Sequence, residues 1–326
     1  MPDSDAPRGR GQSQDLSSLN DAFISKVVLS GHESAVYAVQ FSPSGRNIAS
    51  TSLDKTVRVW SLNTSSDNAV LGKHDMAGTD VRWLRDDVVA SASLDQTVCL
   101  WALAKGEIIG SFKLDSHALC LAAAGDGGNV IYAGCSSGSV FALDARLAAP
   151  AVAAWKGEAS ANAVAFHVEK QVLLCGDSKG RMTVLDPRQP MSVVEEVGVS
   201  DASDSKPVSG ISVLGDLVAC NSYDSVLRVF DGQSRALLHS LRGHHNRNWP
   251  IRSVLFRSGH TDLVASGSAS HSCYLYGPLR NEAEAPSLIQ KLKGHSGNVY
   301  AVDFCKDVLV TCSADTTLRL WKKASQ

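Results

Sequence analysis

The 326-residue chain carries 31 basic and 33 acidic side chains, a formal charge of −2. That balance excludes a dominant polybasic surface for nucleic acid or anionic membranes. No apolar run approaches the roughly 18 residues needed to cross a bilayer, so neither membrane insertion nor direct nucleic-acid binding is expected. The eight cysteines form no CxxC pair and no metal-ligand spacing, and most sit inside strand patterns. They read as small buried thiols in a reducing compartment, with no metal and no cofactor implied.

In chain order, residues 1–22 are rich in Ser, Asp, Gly and Pro and contain no apolar core of a secretory signal. They read as a disordered tail, and with the free thiols they place the chain inside the cell, in cytoplasm or nucleus. Residues 23–326 hold a repeat. Its first copy runs from Gly31 to Trp60. VYAVQF alternates apolar and polar residues as a half-buried strand does, SPSGR is turn chemistry, NIASTS is a second strand, and TVRVW follows a tight turn as a third. A fourth strand follows each third strand, as in EIIGSFKL and RALLHSLR. The third strands end in Trp60, Trp101, Leu143, Leu185, Phe230, Tyr276 and Trp321, with gaps of 41, 42, 42, 45, 46 and 45 residues. A period of about 40–45 residues marks four-stranded propeller blades. The expected fold is all-β, a single seven-bladed β-propeller of four-stranded antiparallel blades. The strand near Phe23–Leu29 should close the ring by pairing with the last blade.

A Gly-His, a later Asp and a Trp six residues beyond it, repeated on this period, resembles the WD-repeat β-propeller family over about residues 23–326. The resemblance implies a buried network in which the histidine bonds the turn aspartate while a strand Ser or Thr and the Trp indole complete it. Three blades carry the whole set: His32–Asp54–Trp60, His74–Asp95–Trp101 and His295–Asp315–Trp321. Their histidines read as structural rather than catalytic, since each pair belongs to a repeated network. The other four blades depart from the pattern. Ser137, Lys179 and Ser270 stand at the aspartate position of blades three, four and six. Blade five keeps Asp224 but has no histidine. The three complete blades become neighbours when the ring closes.

The resemblance also implies binding through the face that carries the loops entering the inner strands. Counting from the histidine position places Tyr37, Thr79, Cys120, Asn162, Ser209, Arg252 and Tyr300 there. Leu53 and Tyr223, just before the tight-turn aspartates, point the same way. Tyr and Arg are types enriched at interface hot spots. Blade six has a lengthened loop, GHHNRNWPIRS, that brings Trp249 to this face, either as an anchor or folded back to plug the wider blade. Two further segments, LDAR ending in Arg146 and LDPR ending in Arg188, resemble the motif by which some propellers dock onto a cullin-type ubiquitin ligase adaptor, though both lack its Trp. No nucleophile elbow, P-loop or HExxH is present, so no enzymatic activity is expected. The leading expectation is a non-enzymatic scaffold: a monomeric subunit of a hetero-complex that binds a linear peptide segment of another protein on its top face. A ubiquitin-ligase substrate receptor is the alternative.

Overall fold

The computed structural model describes residues 22–62, 68–125, 128–147, 153–188, 190–200, 205–280 and 285–324. The expected tail, 1–22, lies outside them except for Ala22. Each blade is a four-stranded antiparallel sheet that meanders from inner to outer strand. Blade one, for example, consists of Val36–Phe41, Asn47–Ser52, Thr56–Ser61 and Asn68–Lys73 in that order. Seven such sheets form the ring that the 41-to-46-residue spacing predicts.

The burial pattern explains why these sequences take these places. Second strands such as VVASAS are buried at every residue, because neighbouring blades cover both faces. Small side chains let the sheets approach there. Outer strands such as SVVEEVG are almost wholly exposed and can carry charge. Large residues fill the wedge between blades. Trp101 of blade two occupies the space in which a side chain at Gly72 of blade one would stand, so only glycine fits at 72. The tight turn before each third strand has a residue with positive φ, and only blades three and four use glycine there (Gly138, Gly180). The others use Lys55, Gln96, Ser225, His271 and Thr316.

Inner strands present one unpaired edge to the axis, and side chains of the preceding blade satisfy part of it. Asp303 accepts the Phe41 N–H at 2.7 Å, Gln40 the Trp83 N–H at 2.8 Å, Asp80 the Leu121 N–H at 2.8 Å and Ser212 the Leu255 N–H at 3.2 Å. Ring closure is the antiparallel pairing of Phe23–Leu29 with Leu318–Lys323, running from Phe23↔Lys323 to Leu29↔Leu318 with one register shift between Ser25 and Val27. Blade seven therefore takes its outer strand from the start of the chain and its other three from Val299–Cys305, Val308–Ser313 and Leu318–Lys323.

Candidate interaction face

The three Gly-His blades build the same buried chain of hydrogen bonds. In blade one His32 Nδ1 lies 2.8 Å from Asp54 Oδ2, His32 Nε2 lies 2.8 Å from Ser50 Oγ, and Trp60 Nε1 donates to Ser50 Oγ at 2.8 Å. The tautomer with the proton on Nδ1 satisfies every member: the imidazole donates to the carboxylate, and the serine hydroxyl donates to Nε2 while accepting from the indole. Blade two repeats this with His74, Asp95, Ser91 and Trp101 at 3.0, 2.7 and 2.7 Å. Blade seven uses His295, Asp315, Thr311 and Trp321 at 2.8, 2.8 and 2.9 Å. Burial pushes His32 and His74 below the usual histidine range, against the pull of Asp54 and Asp95. Burial would raise Asp54, but hydrogen bonds from Thr56 and the Glu33 N–H outweigh it and hold that carboxyl at about 2. A Ser–His–Asp order invites comparison with a hydrolase triad. Here the Ser50 hydroxyl is fully buried and already engaged by an indole, so no substrate reaches it.

Two departing blades hold carboxylates that the repeat pattern does not reveal. In blade three the acid has moved to the loop, where Asp115 accepts hydrogen bonds from Ser137 and Ser139. In blade four it has moved two residues along the turn. Asp177 accepts from the Lys179 N–H and from Arg181 Nε, each at 2.9 Å. The signals were an acid next to the histidine position and an Asp-x3-Arg spacing.

Above the channel these turns surround a bowl of about 340 Å³. Tyr37, Leu53, Leu94, Leu119, Tyr223, Trp249 and Pro250 form its apolar lining, with Thr79, Asn162, Ser209, Asn248 and Arg252 as polar groups. Bulges deliver most of the inner-strand members. The pairing register slips around Tyr37, Thr79, Leu119, Asn162, Ser209 and Tyr300 in blades one to five and seven. In blade three the residue at the slip is Leu119. Cys120, expected there, is buried with its thiol on the Gly134 and Ala161 carbonyls. The reason is that Leu114, not a residue near His117, takes the position of the Gly-His histidine. Its N–H bonds the Gln96 carbonyl just as that of His74 bonds Lys55.

Leu53 is 46% exposed and Trp249 40%, so both leave apolar surface uncovered. Tyr300 is only 3% exposed. It lies under an aromatic layer, 5.2 Å from the Tyr37 ring and 5.6 Å from that of Trp249. One part of the Trp249 indole thus packs on Tyr300 while the rest is exposed. Its loop is held by buried Asn246, which donates to Ser209 Oγ at 3.1 Å and accepts the Trp249 N–H at 3.2 Å. Arg252 does not project outward. Its guanidinium crosses the channel to Asp80 of blade two and to the carbonyls of Thr79 (3.1 Å) and Leu119 (3.4 Å).

Arg146 and Arg188 occupy matching turns of blades three and four. Each bonds back to the aspartate two residues earlier, Arg146 Nε to Asp144 at 2.9 Å and Arg188 Nε to Asp186 at 2.8 Å. Both guanidinium arms are exposed, and these hydrogen bonds hold Asp144 and Asp186 at about 2. Among the described residues no cluster of His, Cys, Asp and Glu is arranged to hold a metal, and no helix is long and apolar enough to cross a membrane.

The family model "WD domain, G-beta repeat" matches residues 24–61 and 286–322, the two stretches that flank the closure. A WD repeat-containing protein 26 homolog of Drosophila melanogaster is 25% identical over 304 residues, covering 88% of this chain and 45% of that protein. A WD repeat-containing protein WDS homolog of Arabidopsis thaliana is 24% identical over 326 residues, 90% of this chain and 56% of that protein. A Denticleless protein homolog of Danio rerio is 28% identical over 121 residues, 35% of this chain and 18% of that protein. The chain therefore spans about half or less of the length of most of these relatives.

Proposed function

Because this chain is a seven-bladed propeller of WD repeats, we propose that it works as a non-enzymatic interaction scaffold, holding a linear segment of a partner protein in the top bowl. The observation that carries the reading is the exposed pair Leu53 and Trp249 on the rim of a largely apolar bowl. A concave, mostly apolar site with a few polar groups is what a binding pocket offers, and Trp is a frequent hot-spot residue. Tyr37 and Tyr223 line the same bowl, while buried Tyr300 supports Tyr37 and Trp249 from beneath. Affinity purification of the wild type beside Trp249→Ala and Leu53→Ala tests this. Each substitution should remove at least one shared partner, with about tenfold weaker binding, at an unchanged melting temperature. Retention of every partner by both variants refutes the reading.

A second reading is favoured by one observation, the paired Asp-x-Arg turns on adjacent blades with both guanidinium groups exposed. They would form one docking surface for a cullin-type ubiquitin ligase adaptor, which makes the chain a substrate receptor. Pull-down with a purified adaptor decides it. Capture should be lost in the Arg146→Ala/Arg188→Ala double variant, and no capture by the wild type ends this reading.

A further inference from the structure

The channel of the ring is closed by its own side chains. Arg252 borders both the top bowl and a second chamber of about 370 Å³ that also touches Gln40, Arg82 and Asp303. It is therefore the partition between the two. Its guanidinium meets the carboxylate of Asp80, which is fully buried and is also approached by Arg82 Nη1 at 3.2 Å. At the matching position the other blades carry Ala38, Cys120, Ala163, Gly210, Ser253 and Ala301, all small and uncharged. Asp80 is thus the one carboxylate at this level, and two guanidinium groups share it.

The acids near the rim are also engaged. Asp54 and Asp95, next to Leu53 and Leu94, turn into the His32 and His74 networks. Asp224, next to Tyr223, pairs with Arg228 at 2.7 Å. A lysine or arginine entering the bowl would find, among the described residues, no free carboxylate; neutral oxygens and the ring faces of Tyr37, Tyr223 and Trp249 would only partly offset its lost hydration, and the Arg252 guanidinium at the channel would repel it. A bulky apolar side chain loses nothing of that kind and covers Leu53, Leu94, Leu119 and Trp249.

We infer that the bowl takes an extended segment of another protein anchored by one bulky apolar side chain. We infer also that Arg252 and Asp80 are positioning residues that make it reject basic anchors. This rests on the docking reading above.

Panning a random peptide display library on the full chain tests it. The selected peptides should share one position dominated by Leu, Met, Phe or Trp and depleted of Lys and Arg, and their binding should be lost on Trp249→Ala. A synthetic consensus peptide is then compared with its counterpart carrying lysine at the anchor. The lysine form should bind the wild type at least about tenfold more weakly. On Arg252→Ala, where Asp80 faces the bowl, that gap should shrink to below about threefold, and Asp80→Asn added to Arg252→Ala should restore it. Arg252→Met, which removes the charge and keeps most of the volume, replaces alanine if the ring fails to fold. A basic anchor selected by the wild type, or a gap that neither Arg252 variant narrows, overturns the inference and leaves the docking reading standing. Failure to select any peptide that depends on Trp249 overturns both.

Discussion

Replacing Phe23 with alanine should open the ring at its seam. Phe23 begins the strand that closes blade seven and is 3% exposed. Its ring meets that of Phe256 edge-on at 6.4 Å, in a cluster with Leu263, Leu275, Leu292 and Trp321 that bridges blades six and seven. Gln290 holds its backbone from both sides, accepting the Phe23 N–H at 2.9 Å and donating to its carbonyl at 2.8 Å. The rest of the strand is different. Ile24, Val27 and Val28 are 40–45% exposed and bury only about half of what a core residue does. Truncating a buried phenylalanine costs about 3–5 kcal/mol. Truncating a half-exposed valine should cost under about 1 kcal/mol. Against a typical stability of about 5–15 kcal/mol, the first is at least about a fifth of the total and the second is close to noise. Urea unfolding followed by tryptophan fluorescence reads the difference, since Trp60, Trp101 and Trp321 are all buried. If Phe23→Ala and Val28→Ala agree within about 0.5 kcal/mol, the closure is carried by the backbone ladder and not by this anchor.

Three further outcomes follow from the same physical terms. Deleting residues 1–21 keeps every pairing of the Phe23–Leu29 strand, whereas deleting 1–30 removes them, so the longer deletion should melt far lower; equal melting temperatures would remove the closure from the stability account. Asp80→Asn leaves two guanidinium groups facing each other across the channel and should destabilise by about 3 kcal/mol, a cost that an unchanged urea midpoint would disprove. His244 is pushed down to about 4 by burial, against the pull of Asp224, and burial also lowers His32 and His74. The unfolded chain takes up protons below about pH 6.5 that these folded imidazoles refuse, so stability should fall as pH drops from about 6.5 towards 4. His244 alone accounts for about 3 kcal/mol of that fall. Among the described residues its Nε2 has no hydrogen-bond partner, while its Nδ1 lies 3.4 Å from the buried Tyr276 hydroxyl, so His244→Leu should flatten the slope at a cost of about 1–3 kcal/mol at pH 7; an unchanged slope would assign the pH dependence elsewhere.

How much of this could be read from the sequence depends on how local each feature is. The ring was legible because every third strand repeats its own pattern and ends in a large residue that must fill the wedge to the next blade, as Trp101 does against Gly72. The closing strand was legible because an apolar strand pattern, FISKVVL, stands before the first Gly-His repeat at Gly31. The bowl was only partly legible. Counting along the repeat finds Tyr37 and Asn162, but blade three has no histidine in register, and a count begun at Asp115, one residue late, lands on Cys120, one residue past the bulge at Leu119. Arg252 is the harder case. Its residue type and loop suggest an outward anchor, and nothing nearby in sequence contradicts that. Its partner, Asp80, lies 172 residues away on a blade across the ring, so only closure brings them together. Counting assigns each blade its own residues, but a channel is made by all seven at once. Whether a guanidinium faces a ligand or a carboxylate is decided there, and that is why Arg252 leaves the set of outward anchors once the ring is closed.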